Sequence, residues 1–316
     1  MKAAVRSKYG QPEVLRIAEL ETPIPKENQI LIRVYATTVN RTDCHVLWGK
    51  PLIMRLFTGL FKPRLASTGT DFAGQVVATG DQVKNFKVGD RVMGFGGVFG
   101  CGSHRQYLLL PETKPIVTIP ESVNYEEAVA CLEGAVYAYG NVRLNIQPDH
   151  KVLVIGATGA IGSSLVQILK SIGSHITGVC QGKDIKLVLS LGADIVIDYT
   201  KEDFTKTNET YDFVFDAVGK SSFRKCKPLL KQNGIYSSSA PSLLQSLVTN
   251  IAGGKKEVFS PFLDITTALN FIKELIGKSS FRPVIDRTYP LEKIVEAYHY
   301  VATGQKIGSV VLTMYD

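Results

Sequence analysis

The stretch Val152-Leu153-Val154-Ile155-Gly156-Ala157-Thr158-Gly159-Ala160-Ile161-Gly162 decides the fold class of this chain. An apolar run leads into a glycine-rich turn, and residues 160–172 then have the apolar spacing of a helix that Gly173 ends. A buried strand followed by such a turn and a helix is the context that a dinucleotide-binding fingerprint requires. The sequence therefore predicts that this turn binds the pyrophosphate of a dinucleotide.

Each part of the predicted turn has a physical role. Gly159 allows the backbone to approach the pyrophosphate, Gly162 allows the helix to pack closely on the strand, and the N–H groups at the helix start bind the phosphates. Ala157 departs from the strict pattern, because it stands where the first glycine of GxGxxG is expected. The cofactor-binding residues predicted here are Gly156, Thr158, Gly159, Ala160, Ile161 and Gly162.

Strands and helices alternate on both sides of this turn. Short apolar strands are predicted at 151–155, 175–180, 195–198, 213–216 and 235–239, with helices at 124–145, 160–172 and 183–191. Such alternation is typical of parallel βαβ units, so the fold class predicted is α/β with a doubly wound Rossmann sheet.

The first 120 residues have a different pattern. Strands at 2–6, 29–38, 74–79 and 91–94 are separated by turn-forming Pro, Gly and Asn, which predicts a β-rich domain. At the C-terminus a helix at 291–303 precedes a strand at 308–312. We predict a substrate domain at 1–122, a cofactor-binding domain at 123–263 and a return to the substrate domain at 264–316.

The end of the second predicted parallel strand indicates which dinucleotide is bound. The segment Cys180-Gln181-Gly182-Lys183 lacks the carboxylate that binds the ribose hydroxyls of NAD. A lysine suits the extra phosphate of NADP, so Lys183 is the predicted contact and Lys186 a second candidate. Two alternatives stay open: Lys183 is a solvated lysine, or Asp184 takes the NAD role.

Composition narrows the class of protein. The chain has 316 residues, 45% of them hydrophobic, and its apolar runs are too short to span a membrane. The net charge of +7 suits an anionic cofactor, nucleic acid or an anionic membrane surface, but the chain has no dense basic tract and no nucleic-acid motif, so we expect no nucleic-acid partner. Five scattered cysteines form no CxxC pair, so we expect a reduced, cytoplasmic protein without a structural zinc lobe. The apolar and basic segment 52–64 is interpreted as a pocket lid or wall rather than a membrane-surface patch.

Several motifs occur in an order that extends over nearly the whole chain. They are Gly69-Thr70-Asp71-Phe72-Ala73-Gly74, Lys87-Val88-Gly89-Asp90-Arg91-Val92, the glycine turn, Leu191-Gly192-Ala193-Asp194 and Phe215-Asp216-Ala217-Val218-Gly219. In this order the chain resembles the medium-chain dehydrogenases/reductases. The resemblance implies a GroES-like β domain, a Rossmann domain and a homodimer. It also implies that Ala217 and Val218 lie by the nicotinamide and Tyr199 near the adenosine phosphate.

The resemblance also bears on metal content. Zinc members of the family carry a cysteine at the position of Asn40 and a His–Glu pair at Thr70-Asp71, so two expected ligands are replaced by poor ones. The chain thus resembles the zinc-free quinone oxidoreductases and alkenal/enone reductases, and we predict no metal. A different zinc site, built from Cys101 and His104 with Cys44, His45 or Cys131, is the open alternative.

The spacing Asn40-x-Thr42-x-x-His45 supplies the predicted catalytic residues. Asn40 offers an amide donor that polarises a carbonyl, while Thr42 and His45 occupy the positions of a hydroxyl–imidazole proton relay in zinc relatives. Alternatively, His45 fills a pocket wall and solvent supplies the proton. The function predicted is zinc-independent hydride transfer from NADPH to a quinone or an α,β-unsaturated carbonyl. A zinc alcohol dehydrogenase and an NADPH-binding regulatory protein without turnover are the alternatives.

Overall fold

A computed structural model describes residues 1–52, 54–97, 100–239, 254–258 and 264–315 of the chain. The structure divides into two compact units. The first consists of Met1–Glu133 and Ile265–Asp316, and the second of Gly134–Asp264. The apolar residues at 242–254 have helical spacing, which predicts a helix there. Residues 242–253 of this segment lie outside the described residues.

The strands, in chain order, are β1 Lys2–Val5, β2 Arg16–Glu19, β3 Gln29–Val39, β4 Asp71–Thr79, β5 Arg91–Phe95, β6 Tyr107–Pro111, β7 Ile116–Thr118, β8 Lys151–Ile155, β9 His175–Cys180, β10 Ile195–Asp198, β11 Tyr211–Asp216, β12 Leu230–Ser238, β13 Lys256–Val258, β14 Ile285–Pro290 and β15 Ser309–Thr313. The α-helices of the described ranges are α1 Arg41–Trp48, α2 Met54–Thr58, α3 Tyr125–Ala130, α4 Leu132–Val142, α5 Ala160–Ile172, α6 Ile185–Ser190, α7 Phe223–Cys226, α8 Ile265–Gly277 and α9 Ile294–Ala302.

The second unit contains a parallel sheet in the order β10-β9-β8-β11-β12-β13. The chain builds outward from β8 in one direction and then returns to build from β11 in the other, which is the doubly wound arrangement. Its central strands are buried, and Leu153, Val179, Val214 and Tyr236 belong to one hydrophobic cluster. The predicted Rossmann class is therefore confirmed.

The first unit is built on a mostly antiparallel sheet in the order β14-β15-β3-β4-β5-β7, with β6 also paired to β3. The C-terminal strand β15 pairs antiparallel with the long strand β3, so the C-terminal segment of the chain completes the sheet of the first unit. Strand and helix side chains such as Ile32, Val34, Leu312 and Tyr298 fill its core. This β-rich unit is the GroES-like domain that the sequence predicts.

The single helix predicted at 124–145 is wrong, because the structure divides it into α3 and α4 at Cys131. The buried hydroxyl of Ser309 donates a hydrogen bond of 2.8 Å to the Ala130 carbonyl, which an uninterrupted helix would use within its own ladder. The predicted helix at 183–191 likewise begins with a 3-10 turn, Gly182–Asp184, before α6.

The apolar and basic segment 52–64 is partly exposed where the structure describes it. Leu56 and Phe61 are 59% and 89% exposed, while the Tyr9 hydroxyl is hydrogen-bonded to the Thr58 hydroxyl (2.8 Å) and donates to the Gly59 carbonyl (2.6 Å), which anchors the segment. No helix within the described ranges is both long and apolar enough to cross a membrane.

Candidate cofactor and acceptor sites

The glycine-rich turn lies where the strand order of the parallel sheet reverses. The end of β8 adjoins the end of β11, with Ile155 paired to Asp216. Gly156 has a φ of +78°, and a Cβ placed on it would stand 2.5 Å from Cγ1 of Val218. The two predicted cofactor segments, 156–162 and 217–218, therefore meet at the switch point, where open α/β sheets bind their ligands.

The glycines of the turn serve different purposes. A Cβ on Gly162 would stand 2.1 Å from the Gly156 carbonyl oxygen, so glycine is required there for packing. A Cβ on Gly159 would meet only that same oxygen, at 3.6 Å, and the φ of Gly159 is an ordinary −69°. Packing against the described residues therefore does not explain glycine at this position. Ala157, which replaces the first glycine of the pattern, is fully buried.

The start of α5 presents donors for a phosphate. The first helix-type hydrogen bond is the one that the Ser163 N–H donates to the Gly159 carbonyl, at 2.8 Å. The amides of Ala160, Ile161 and Gly162 precede it in the first turn, where backbone N–H groups have no intrahelical acceptor. This geometry fits the pyrophosphate of a dinucleotide.

Asp216 organises the turn that follows β11. Its carboxylate accepts hydrogen bonds from the backbone N–H groups of Val218 (3.2 Å) and Ser221 (2.7 Å) and from the Tyr236 hydroxyl (3.2 Å). Val218 is 44% exposed, so the Asp216 contacts hold an apolar side chain open beside Gly156. Asp216 is a positioning residue to which the sequence reading gave no role.

Lys183 and Tyr199 follow the neighbouring strands β9 and β10. Both side chains are exposed, and the Tyr199 N–H donates to the Cys180 carbonyl at 3.1 Å, which brings the two strand ends together. The sequence reading missed Asp198, which is 5% exposed and accepts from the N–H (3.0 Å) and hydroxyl (2.7 Å) of Thr200. These hydrogen bonds lower the pKa of Asp198, so its side chain is a charged carboxylate that holds Thr200 in the turn after β10.

The three predicted catalytic residues lie at or within α1 in the first unit. Asn40 caps the helix and is 1% exposed; its Nδ2 donates to the Thr38 hydroxyl at 2.5 Å, while its Oδ1 is buried without a partner among the described residues. Thr42 and His45 are half-buried and three positions apart, so they share a face of the helix. An unsatisfied buried oxygen is costly, and a donor on a bound ligand would satisfy it.

The imidazole of His45 is hydrogen-bonded to the backbone just after the C-terminal end of α1. Its Nδ1 lies 3.0 Å from the Lys50 carbonyl oxygen, so Nδ1 carries the proton and donates to that oxygen. Partial burial lowers the pKa of His45, so the imidazole is neutral at neutral pH. The structure thus places Thr42 and His45 on one face but directs the Nδ1 proton of His45 to the backbone.

Asp71, at a zinc-ligand position of the zinc relatives, and His104, of the alternative zinc site, are both hydrogen-bonded. Asp71 is buried and accepts from the Thr38 N–H (2.8 Å) and hydroxyl (2.5 Å). His104 uses both ring nitrogens, Nδ1 with the Thr68 hydroxyl (2.8 Å) and Nε2 with the Thr38 carbonyl (2.9 Å), and burial lowers its pKa to about 4. Within the described ranges, no group of three His, Cys, Asp or Glu side chains could hold a metal ion.

Glu133 is a further buried acid of the first unit to which the sequence analysis gave no role. It is 6% exposed, and burial raises its pKa to about 7, against hydrogen bonding from the Thr42 side chain and backbone and the charge of Lys306, which lower it. Lys306 donates to the Gly308 carbonyl at 2.5 Å, and burial lowers its pKa. The available signal was a lone acid within the apolar stretch 128–136.

Two family models match this chain. One, described as the alcohol dehydrogenase GroES-like domain, covers residues 26–121, and the other, described as zinc-binding dehydrogenase, covers residues 191–312. Among the curated relatives, a 2-methylene-furan-3-one reductase of Solanum lycopersicum and an NADPH-dependent alkenal/one oxidoreductase of Arabidopsis thaliana are each 30% identical. Both alignments cover 99% of this chain and 79% of the relative.

Solved structures show the same fold. The quinone oxidoreductase of Coxiella burnetii aligns with a TM-score of 0.87 at 24% identity and covers 100% of this chain and 99% of its own. The quinone oxidoreductase of Escherichia coli, in complex with NADPH, aligns with a TM-score of 0.84 at 24% identity over 99% and 100%. The chain belongs to the medium-chain dehydrogenase/reductase superfamily. Within it, the sequence is similar to members named as quinone oxidoreductases and alkenal/one reductases.

Proposed function

We propose that this protein is a zinc-independent reductase that transfers a hydride from NADPH to a quinone or to the β-carbon of an α,β-unsaturated carbonyl. The observation that carries the proposal is the turn at the switch point, where Gly159 has no packing neighbour that requires glycine and the amides of the first turn of α5 have no intrahelical acceptor. The relatives at 30% identity are named 2-methylene-furan-3-one reductase and NADPH-dependent alkenal/one oxidoreductase, which supports the acceptor class.

In this proposal the second unit holds the cofactor. The amides at 160–162 and the turn Gly156–Gly159 bind the pyrophosphate, Lys183 pairs with the 2′-phosphate, and Tyr199 borders the adenosine. Ala217 and Val218 contact the nicotinamide. When bound, NADPH supplies the hydride. The preference for NADPH is supported by the name of the Arabidopsis relative and by the cation at the end of β9.

The first unit acts on the acceptor. Asn40 polarises the carbonyl through the N–H that Thr38 leaves available, and Thr42 donates a proton to the reduced product. His45, with its neutral ring, borders the acceptor. Zinc has no part in the proposal, because Asp71 and both ring nitrogens of His104 are committed to hydrogen bonds. A cytoplasmic location and a homodimer stay predictions; several relatives are named as chloroplastic or mitochondrial.

The test is cofactor oxidation by the purified chain, with NADPH and NADH, against a quinone, an enone, an alkenal and a saturated aldehyde, with and without a chelator. We expect chelator-resistant oxidation of NADPH by the quinone or the enones. Chelator-sensitive activity confined to the aldehyde would replace the proposal with a zinc dehydrogenase. Tight NADPH binding without turnover across the panel would favour a regulatory nucleotide-binding protein.

A further inference from the structure

The side-chain amide of Asn40 lies at the end of a buried hydrogen-bond path that begins at Asp71. The Thr38 hydroxyl donates to Oδ2 of Asp71 at 2.5 Å, and Nδ2 of Asn40 donates to the same hydroxyl at 2.5 Å. The Thr38 backbone N–H adds a bond of 2.8 Å to Oδ1 of Asp71. None of the three residues is more than 1% exposed, so protein groups rather than water set the directions of these bonds.

Hydrogen-bond donors surround the carboxyl group of Asp71. Besides the two donors of Thr38, the Thr37 hydroxyl lies 3.2 Å from its Oδ1. Burial raises the pKa of Asp71 to about 6, against these hydrogen bonds, so the group is ionised at about pH 8. An ionised carboxylate carries no proton and only accepts. The single proton of the Thr38 hydroxyl is therefore donated to Asp71.

The direction of that hydroxyl proton decides the orientation of the Asn40 amide. A hydroxyl whose proton is donated to Asp71 can only accept from Asn40, so Asn40 must turn its NH2 group and not its oxygen towards Thr38. The opposite orientation would bring two acceptor oxygens together inside the protein, without a proton between them. The observed orientation agrees, because Oδ1 of Asn40 is buried and has no hydrogen-bond partner within the described ranges.

We propose that Asp71 is a positioning residue that acts through the Thr38 hydroxyl and fixes the Asn40 amide in one orientation for the acceptor. The inference rests on the proposed function, in which Asn40 polarises the acceptor carbonyl. Of the two protons on Nδ2, one is donated to Thr38 and the other stays for the acceptor. A donor that is fixed before the acceptor binds stabilises the developing negative charge without reorganisation. Asp71 itself contacts neither cofactor nor acceptor in this proposal.

Thr37 allows a positioning role to be separated from a structural one. It precedes Thr38 on β3, is equally buried, and its hydroxyl donates to the Asp71 backbone carbonyl at 2.7 Å. The Thr37 hydroxyl also lies 3.0 Å from that of Ser103, and among the hydrogen bonds of the described residues none joins Thr37 to Asn40. Thr37→Val therefore removes a buried hydroxyl beside Asp71 but leaves the path intact, which makes it the matched control for Thr38→Val.

The first experiment needs neither cofactor nor acceptor. The protein is labelled with 15N in its asparagine side chains, and NMR at about pH 8 records NOEs between the Nδ2 protons of Asn40 and the Thr38 side chain. Asn40→Ala identifies the signals by their loss. We expect these NOEs in the wild type, in Thr38→Ser and in Thr37→Val, because each of these proteins keeps a hydroxyl at position 38.

Asp71→Asn should reverse the Asn40 amide. The new carboxamide keeps an oxygen for the Thr38 N–H and places an NH2 group where Oδ2 stands, so it donates to the Thr38 hydroxyl. The hydroxyl proton then turns to Asn40, whose oxygen takes the place of its NH2 group. The NOEs between Nδ2 of Asn40 and Thr38 should disappear in this variant. NOEs as strong as those of the wild type would overturn the proposal.

The second experiment measures kcat and KM with an enone at saturating NADPH. Thr38→Val and Asp71→Asn should each lower kcat about thirtyfold and change KM less than about threefold, because the lost orientation matters most in the transition state. Thr38→Ser restores the hydroxyl and should return most of kcat, and Thr37→Val should keep kcat within about threefold of the wild type. In an Asn40→Ala background, Thr38→Val should lower kcat no further, because no amide is left to orient.

The outcomes separate the two proposals. If no acceptor oxidises NADPH, the proposed function fails, while the NOEs still decide whether Asp71 orients the Asn40 amide. If the enzyme is active but Thr38→Val lowers kcat as much without Asn40 as with it, or Thr37→Val lowers kcat equally, the positioning role is overturned and the reductase stands. If Thr38→Val does not fold, the same comparison is made with Asp71→Asn. A loss of kcat that depends on the presence of Asn40 supports the proposal.

Discussion

Gly162 packs against Gly156 so closely that a Cβ on Gly162 would stand 2.1 Å from the Gly156 carbonyl oxygen. No rotation of a side chain relieves this contact, because the backbone fixes the position of the Cβ and the carbonyl oxygen is itself a backbone atom. We predict that Gly162→Ala costs about 3 kcal/mol of unfolding free energy, since α5 must move away from β8. Urea denaturation of the two proteins measures this cost. A variant as stable as the wild type would contradict the observed packing of α5.

We expect Gly159→Ala to leave the unfolding free energy nearly unchanged and to weaken NADPH binding. Its Cβ would meet an ordinary contact at 3.6 Å, and its φ is negative, so the unfolding free energy should stay within about 0.5 kcal/mol of the wild type. The added methyl group would stand where the pyrophosphate approaches, and the Kd for NADPH should rise on the order of tenfold.

Fluorescence titration with NADPH measures this effect. Gly277→Ala, whose Cβ would meet Pro120 at 3.5 Å in the other unit, is the control and should bind NADPH normally. Unchanged NADPH binding by a folded Gly159→Ala would remove the main support for the cofactor site.

Lys183 should select between the two nicotinamide dinucleotides. Its side chain is exposed at the end of β9, so Lys183→Ala should be as stable as the wild type but should bind NADPH about tenfold more weakly, through the lost charge-assisted hydrogen bond. NADH lacks the 2′-phosphate, and its Kd should not change.

The comparison uses both dinucleotides with Lys183→Ala, Lys186→Ala and, as an exposed control in the first unit, Lys8→Ala. A selective loss of NADPH affinity in Lys186→Ala instead would assign the phosphate to that residue. Equal weakening of NADPH and NADH binding by Lys183→Ala would show that this lysine does not bind the 2′-phosphate.

His104 should make the unfolding free energy of the protein depend on pH below neutrality. Its pKa is about 4 in the folded protein and about 6.5 in the unfolded chain, so the unfolded chain binds the proton more readily. Its contribution is fully present above pH 6.5 and is lost as the pH falls through 4, in total about 3 kcal/mol.

Urea denaturation of the wild type and of His104→Asn, at about pH 7 and about pH 4.5, isolates this contribution. The stability lost by the substitution should be smaller at the lower pH. The comparison removes the opposite trend of buried Asp71, whose pKa burial raises to about 6, because that carboxyl group is present in both proteins. A difference between the two proteins that is the same at both pH values would contradict the prediction.

Much of the fold could be predicted from the local pattern of apolar residues and glycines in the sequence. The helix at 160–172 and the strands at 151–155, 175–180 and 195–198 have the bounds that the sequence predicts. The helix has helical apolar spacing that Gly173 ends, and the strands at 151–155 and 175–180 are apolar runs whose consecutive residues are buried. The single helix predicted at 124–145 was wrong, because α3 ends at Ala130, whose carbonyl accepts a hydrogen bond from Ser309, 179 positions away in the chain.

The sequence by itself determined the doubly wound class, the glycine turn and the residues that follow each strand, since strand, turn and helix propensities depend on near neighbours. Only the tertiary structure decided which glycine is required for packing and which is left open, that Asp216 holds Val218 beside Gly156, and that Asp71 meets Thr38. Those relationships join residues far apart in the chain. Their consequences, above all the raised pKa of Asp71, come from burial that no local pattern contains.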